Sequence, residues 1–327
     1  KRAFVVGMFA AAFLSALQSL PVTFALQVIL RLFEGFSHLS IVVAGPILMA
    51  RYSSTSARGA VMTLWSSFFG ISFMFVALIA PILINAGGLS RLLHAHAVYM
   101  LVLGGLLWLV LPRSQHRANA QQIPVQFALS DFRRLHVEIY SSPWLGAAAL
   151  GFVCYTALYI ALLTYLPTFV DAVHRGTLSA SLPLASIVTS LTLGVILLRY
   201  AHPVTVVIFG FVLTICAAIP LWFSHGSEQA FIVSCLILLG ATGIVPGASF
   251  ATLAVLNTDD TDRAYATGAV AQLGNFGTTF GPPVLAAIVT FAGLVGTILF
   301  VVFLSLLGIM IHLWLWHRRS VGLTQRD

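Results

Sequence analysis

Ten stretches of this chain are apolar for long enough to cross the hydrocarbon core of a bilayer, for which about 20 helical residues suffice. They cover residues 3–20, 22–50, 57–84, 92–111, 143–170, 178–200, 203–223, 228–256, 262–291 and 294–316. Turn and charge signals separate them: Pro21, Arg51 to Arg58, Gly87-Gly88, the 112–142 stretch, His174-Arg175-Gly176, His202-Pro203, His225-Gly226, Asp259 to Arg263, and Gly293. In hydrocarbon a backbone must satisfy its own hydrogen bonds, so spans are helices or strands of a closed barrel. A barrel would alternate polar and apolar residues in short segments. Continuous runs predict an all-α membrane protein with ten visible transmembrane helices. Charged residues make up 8% of the 327, against about a quarter in soluble domains, which argues against a soluble enzyme or binding module.

The charges that remain are placed unevenly. With the amino end in the cytoplasm, Lys1, Arg2, Arg51, Arg58, Arg113, Arg117, Arg133, Arg134, Arg199, Arg263, Arg318, Arg319 and Arg326 fall inside. Only Arg91 and Arg175 fall outside. The net charge of +7 therefore reads as the positive-inside bias of an inner or plasma membrane protein with both ends cytoplasmic, and not as a nucleic-acid footprint. Cys154, Cys216 and Cys235 lie within apolar runs and read as small packing residues, with no disulfide framework or metal site indicated.

One basic residue lies within a span. Between Val22 and Ala50, Gln27, Arg31, Glu34 and His38 fall at i, i+4, i+7 and i+11, which puts them on one helical stripe. A charge at the bilayer centre costs about 2.5–3.5 kcal/mol on insertion scales, so such groups face a protein interior or a wet cavity. Two readings stand: the wall of a transport path, or an Arg31–Glu34 ion pair that holds helices together. On the first reading Glu34 and His38 are the proton carriers. Burial favours the neutral carboxyl and the Arg31 charge favours the ionised one, so movement of Arg31 would load and release a proton.

The chain also repeats itself. Gly35 to Arg58 and Gly240 to Arg263 are equally long, and each leads from a small-residue-rich helix through a basic loop into a helix bearing proline (Pro81; Pro282-Pro283). Parallel repeats describe transporters built from two similar halves. The second segment then corresponds to the eighth, which is the fourth of six in the later half. Two helices are accordingly expected ahead of Lys1, making the chain most of a twelve-helix protein. The expected organisation is an amino-terminal bundle of four visible helices over 1–112, a cytoplasmic linker over 113–142 and a six-helix carboxy-terminal bundle over 143–327. Within the linker, Phe132, Leu135 and Ile139 recur at helical spacing beside Arg133 and Arg134. They fit an amphipathic helix on an anionic leaflet, and equally a solvated connector.

Several of these residues resemble the major facilitator superfamily. Arg31-Leu-Phe-Glu-Gly35 is similar to its fourth-helix motif, Lys1-Arg2 to the tail of its basic loop, and the run from Leu273 to Pro283 to its eleventh helix. The resemblance implies a two-bundle, twelve-helix fold that works by alternating access around a central site. It departs from the pattern of the family's exporters, where Gly-Pro precedes Gly-Gly closely, because Ala80-Pro81 stands well ahead of Gly87-Gly88.

In the later half the polar groups available to line a path are uncharged: Tyr155 and Tyr159 at i, i+4, then Gln272 and Asn275. Each either bonds a solute or bonds a neighbouring helix. Gly240, Gly243 and Gly247, like Gly274, Gly277 and Gly281, stand at i, i+3, i+7, which lets helix backbones approach closely for packing or for gating. Asp259, Asp260 and Asp262 suit the start of a helix, and Arg263 suits a loop anchor. His94-Ala-His96 lacks a third metal ligand. The sequence carries no nucleophile elbow, no phosphate-binding glycine loop and no His-Glu-x-x-His. The function expected is a monomeric secondary active transporter of a small solute, proton-coupled, without a cofactor. With Arg31 the lone cation of the visible core, that core admits an anionic or zwitterionic solute, and helices ahead of Lys1 could reverse this. The competing expectation is a membrane sensor or scaffold that kept a transporter fold without transporting.

Overall fold

The computed structural model describes residues 1–54, 61, 64–65, 68–112, 129–224 and 226–324. Arg58, Arg113, Arg117, His225 and Arg326, used in the reading above, lie outside the described residues. The chain separates into two compact units, Lys1–Trp65 with Val76–Gln126, and Ser66–Phe75 with Phe127–Asp327.

The first unit contains α1 (Arg2–Gln18), α2 (Phe24–Tyr52) and most of α3 (Phe68–Val110). Pro21 interrupts the chain between α1 and α2, and the Thr23 hydroxyl then accepts a hydrogen bond from Leu26 N at 3.4 Å, capping α2. The two helices touch through Gly7, where a Cβ would sit 3.1 Å from the Ser37 carbonyl oxygen, and Ser37 Oγ donates to Gly7 O at 2.6 Å. Lys1 Nζ donates to the carbonyls of Trp108, at 2.6 Å, and Leu111. A cation there meets the unpaired carbonyls that every helix leaves at its carboxyl end. Within α3 the helix breaks at Gly87-Gly88, where Gly88 has φ 69°, a left-handed conformation that glycine adopts without steric cost.

The second unit opens with α4 (Leu129–Ser141) and α5 (Ala147–Tyr165), the latter tightening into a 3₁₀ turn over Leu166–Phe169. Next come α6 (Ala172–Thr189), a π turn over Ser190–Gly194, and α7 (Val195–Tyr200). They are followed by α8 (Pro203–Phe223), α9 (Glu228–Thr242), α10 (Ile244–Leu256) and α11 (Asp260–Thr324). The helix starts are capped as the sequence requires. His202 Nδ1 accepts from Val204 N, Ser227 Oγ from Ala230 N, and Asp259 Oδ2 from Thr261 N and Asp262 N. Arg263 anchors its loop by donating to the carbonyls of Asn257 and Thr258. Glu228 Oε1 accepts from Asp171 N at 2.8 Å and pairs with His174 at 3.1 Å, tying the starts of α6 and α9 together.

Buried α5 is the axis of this unit, and α11 packs along it most extensively. Glycines permit the approach. A Cβ at Gly277 would collide with Thr156 Oγ1 and lie 2.6 Å from the Val153 carbonyl oxygen, and one at Gly281 would collide with the Ala157 carbonyl. Gly274 faces the Phe152 ring, and Gly243 backs onto the Ser186 backbone of α6.

The amphipathic pattern of the linker becomes α4, and its apolar side is used within the second unit. Ile139 is buried and Leu135 packs against the core, while Tyr140 donates to Gln272 Oε1 of α11 at 2.7 Å. Arg318 and Arg319 close the same corner by donating to the carbonyls of Ser141 and Pro143. Partial burial raises the Tyr140 phenol above its ordinary proton affinity, so it stays a hydrogen-bond donor through the neutral range.

Among the described residues, seven helical spans are apolar and long enough to cross a membrane. Two of these, Gly70–Val110 and Thr261–Val321, are double spans broken at Gly87-Gly88 and at Gly293, where φ is 49°. The latter holds 61 residues, about three times what one crossing needs. The result is an all-helical membrane protein.

Three tests follow from the packing. Gly277→Val should cost about 3 kcal/mol or more by overpacking the α5–α11 contact, read as a lower thermal midpoint in detergent. Gly268→Ala, where an added Cβ meets nothing within 4 Å, should instead stabilise by about 0.5–1 kcal/mol. Tyr140→Phe should cost about 1 kcal/mol and raise amide exchange across α4 while α5 is unchanged.

Candidate functional site

On α2 the polar stripe forms a connected chain of hydrogen bonds with a group that sequence reasoning did not single out. Glu34 Oε2 accepts from the Arg31 guanidinium at 2.7 Å and from Gln18 Nε2 of α1 at 3.1 Å. The Gln18 side-chain oxygen accepts in turn from Gln27 Nε2 at 3.2 Å. Gln27, Gln18, Glu34 and Arg31 are therefore one unit, and Gln18 is the member that joins two helices. Its signal was a glutamine near the end of an otherwise apolar helix. The Arg31 side chain is 53% exposed and that of Glu34 18%. The carboxylate is thus held by two donors, and its cation is half exposed.

Glu34 is also the common electrostatic neighbour of His38, one turn further along α2, and of His96 on α3. His96 Nδ1 lies 3.0 Å from Ser15 Oγ, which donates to the Leu93 carbonyl. His94 bonds Ser19 Oγ at 3.1 Å. The two histidines of the His94-Ala-His96 triplet thus have separate partners, Ser15 on α1 and Ser19 just past its end, and no cluster of three or more metal-ligating side chains occurs among the described residues. Ser15 and His96 join Gln18 as polar groups that the sequence did not connect to the stripe, because the connection runs between helices.

The second unit presents a different surface. Tyr155 and Tyr159 are buried in its core with rings stacked at 5.3 Å. Gln272 is exposed and accepts the Tyr140 hydrogen bond, so one of its lone pairs is committed to α4. Asn275 is half-buried, and its backbone carbonyl accepts from Thr278 and Thr279. An apolar groove of about 800 Å³ lies between α6, α8 and α9, lined by Leu184, Val188, Leu213, Cys216, Val233 and Ile237 among others. Cys216 is exposed there, which corrects the expectation that all three cysteines pack inside. Its helix turns that face outward, and periodicity alone does not distinguish an apolar face against protein from one against lipid. Cys154 and Cys235 are buried.

These arrangements can be set beside known proteins. No curated protein matches the chain in sequence. Among solved structures, the human organic anion transporter MFSD10 (TETRAN) aligns with a TM-score of 0.71 at 18% identity, over 94% of this chain and 76% of that one. The Escherichia coli fucose:proton symporter FucP aligns with a TM-score of 0.65 at 14% identity, over 95% and 84%. FucP in its outward conformation aligns at 0.63 and 14%, over 95% and 83%. Likeness at such low identity speaks to fold. A family model, that of the Major Facilitator Superfamily, matches residues 1–270. With most of its residues inside that match and the same helical fold, the chain belongs to the Major Facilitator Superfamily.

Proposed function

We propose that the protein is a secondary active transporter that moves a small solute by alternating access, driven by protons carried at Glu34. The observation that carries this reading is the carboxylate shared between Arg31 and Gln18. Two donors hold the carboxylate. A shift of α1 against α2 that withdraws Gln18, or a rotation of the half-exposed guanidinium, breaks those hydrogen bonds and opens the carboxylate to a proton. Protonation then releases Arg31, a cation free to meet an anionic or zwitterionic solute. Proton binding and solute binding are thereby coupled through one side chain. His38 and His96, within the field of the same carboxylate, are the groups through which the proton reaches or leaves it.

The remaining assignments belong to the same reading. Tyr155, Tyr159, Gln272 and Asn275 supply uncharged hydrogen-bonding groups in the second unit. The glycine faces at Gly240, Gly243, Gly247 and at Gly274, Gly277, Gly281 are the seams along which helices adjust. Ten helices of a twelve-helix, two-bundle protein, both ends cytoplasmic and a monomeric state complete it. FucP is a fucose:proton symporter and MFSD10 an organic anion transporter, and together they span the solute chemistry and the coupling proposed here.

The test is transport in proteoliposomes with a panel of small organic anions and zwitterions. Under an imposed proton gradient the protein should accumulate one of them. Glu34→Gln should lose proton-driven accumulation by about tenfold or more while solute counterflow persists. Full pH-driven accumulation by Glu34→Gln would overturn the coupling role, and absence of counterflow with every solute would favour the non-transporting scaffold.

A further inference from the structure

The last stretch of α11 carries a polar column that no assignment above uses. Ser305, His312 and Arg319 recur every seven residues, so they share one face, and all three are buried. Arg319 is satisfied, donating to the Pro143 carbonyl at 2.7 Å and lying 5.9 Å from the centroid of the Trp144 ring. His312 is not. It is 1% exposed, and among the described residues neither ring nitrogen has a hydrogen-bond partner; the hydroxyl of Ser305 has none either.

The imidazole sits in a socket made for it. It lies directly over Gly151 of α5, where any Cβ would collide with Nε2. Glycine at 151 thus provides the space that His312 fills. Burying a polar group without a partner destabilises the fold, and a hydrocarbon side chain would fill the same socket without that cost. The surroundings also leave the ring electrically bare. Of the helices that pack on α11, α4 carries Asp131, Arg133, Arg134, His136 and Glu138, none of which acts on the ring, whereas α5, α8 and α10 contain no Asp, Glu, Lys or Arg. Their titratable groups are Cys154, Tyr155, Tyr159 and Tyr165 on α5 and Cys216 on α8. Among charged groups, Arg319 on the same helix face is the one that acts on the ring. Among the described residues, no carboxylate acts on the ring to hold a protonated imidazole in the closed seam.

We propose that His312 is a proton-binding residue in the second unit that opens the α5–α11 seam: neutral in the Gly151 socket, it takes a proton when water enters and cannot return until it loses it. An imidazolium in that socket would be an unpaired buried charge beside a guanidinium, so protonation must move the ring out or let water in. Ser305, two turns away on the same face, supplies a hydroxyl to such water beside the ring nitrogens. The site rests on its own geometry; only its place in a transport cycle rests on the function proposed above.

The experiment uses the whole protein in lipid nanodiscs and requires no solute. Hydrogen exchange at the imidazole C2 position, read by mass spectrometry across pH, reports both wetting and protonation of each histidine. His312 should exchange with a sigmoidal pH profile, about tenfold or more slower than exposed His174. Amide exchange over Ala147–Tyr165, corrected for its intrinsic pH dependence, should rise about fivefold between about pH 8 and about pH 5. That rise should vanish in His312→Phe, which fills the socket without a titrating group. Absence of C2 exchange at His312 while His174 exchanges would overturn the proposal. So would an α5 response to acid that persists in His312→Phe. Should the variant fail to fold, the C2 profile of the unaltered protein decides alone. The outcome is independent of Glu34→Gln, so a failed proton-coupling role for Glu34 leaves this test intact.

Discussion

Hydrocarbon offers no hydrogen bonds, and every span of this chain is shaped by that fact. Helices satisfy their backbones internally, so the places where they end or break need special residues. Thr23, Ser227 and Asp259 cap helix starts with side-chain oxygens. Lys1 meets the carbonyls at the end of α3, and Arg318 and Arg319 bond the carbonyl that ends α4 and one just beyond it. The glycines at 88 and 293 turn the chain where long apolar runs would otherwise exceed the membrane.

Without a hydrophobic force between helices in lipid, close packing has to hold them together. The contact of α5 with α11 shows how. Gly277 and Gly281 remove side chains from the interface so that the two backbones meet, and Gly151 removes one from the other side. The first two recesses admit backbone. The third admits an imidazole, and that difference separates a packing seam from one holding a group able to bind a proton. The same polarity rule explains the first unit, where Glu34, Arg31, Gln18 and Gln27 pair among themselves. An unpaired member at that depth would cost more than the network's ordering.

Helical character and the position of most breaks were legible in the sequence, because both depend on local properties: apolar run length, glycine, proline and charge. The stripe of Gln27, Arg31, Glu34 and His38 was legible for the same reason, since one helix's periodicity defines it. The family was legible too, through Arg31 to Gly35 and the run from Leu273 to Pro283. The linker's amphipathic pattern, by contrast, could be read as a helix or a connector. It resolved as α4 because Ile139 found a core and Tyr140 found Gln272.

What the sequence determined by itself, then, was which segments are helices and which face of each is polar, since these follow from the composition of a few consecutive turns. Only the tertiary structure decided which polar faces meet. Gln18 became a partner of Glu34, Ser15 of His96, and Gly151 of His312 across separations in sequence that no local pattern encodes. Those pairings depend on how helices cross, and crossing is set by the summed shape of many side chains rather than by any single stretch of chain.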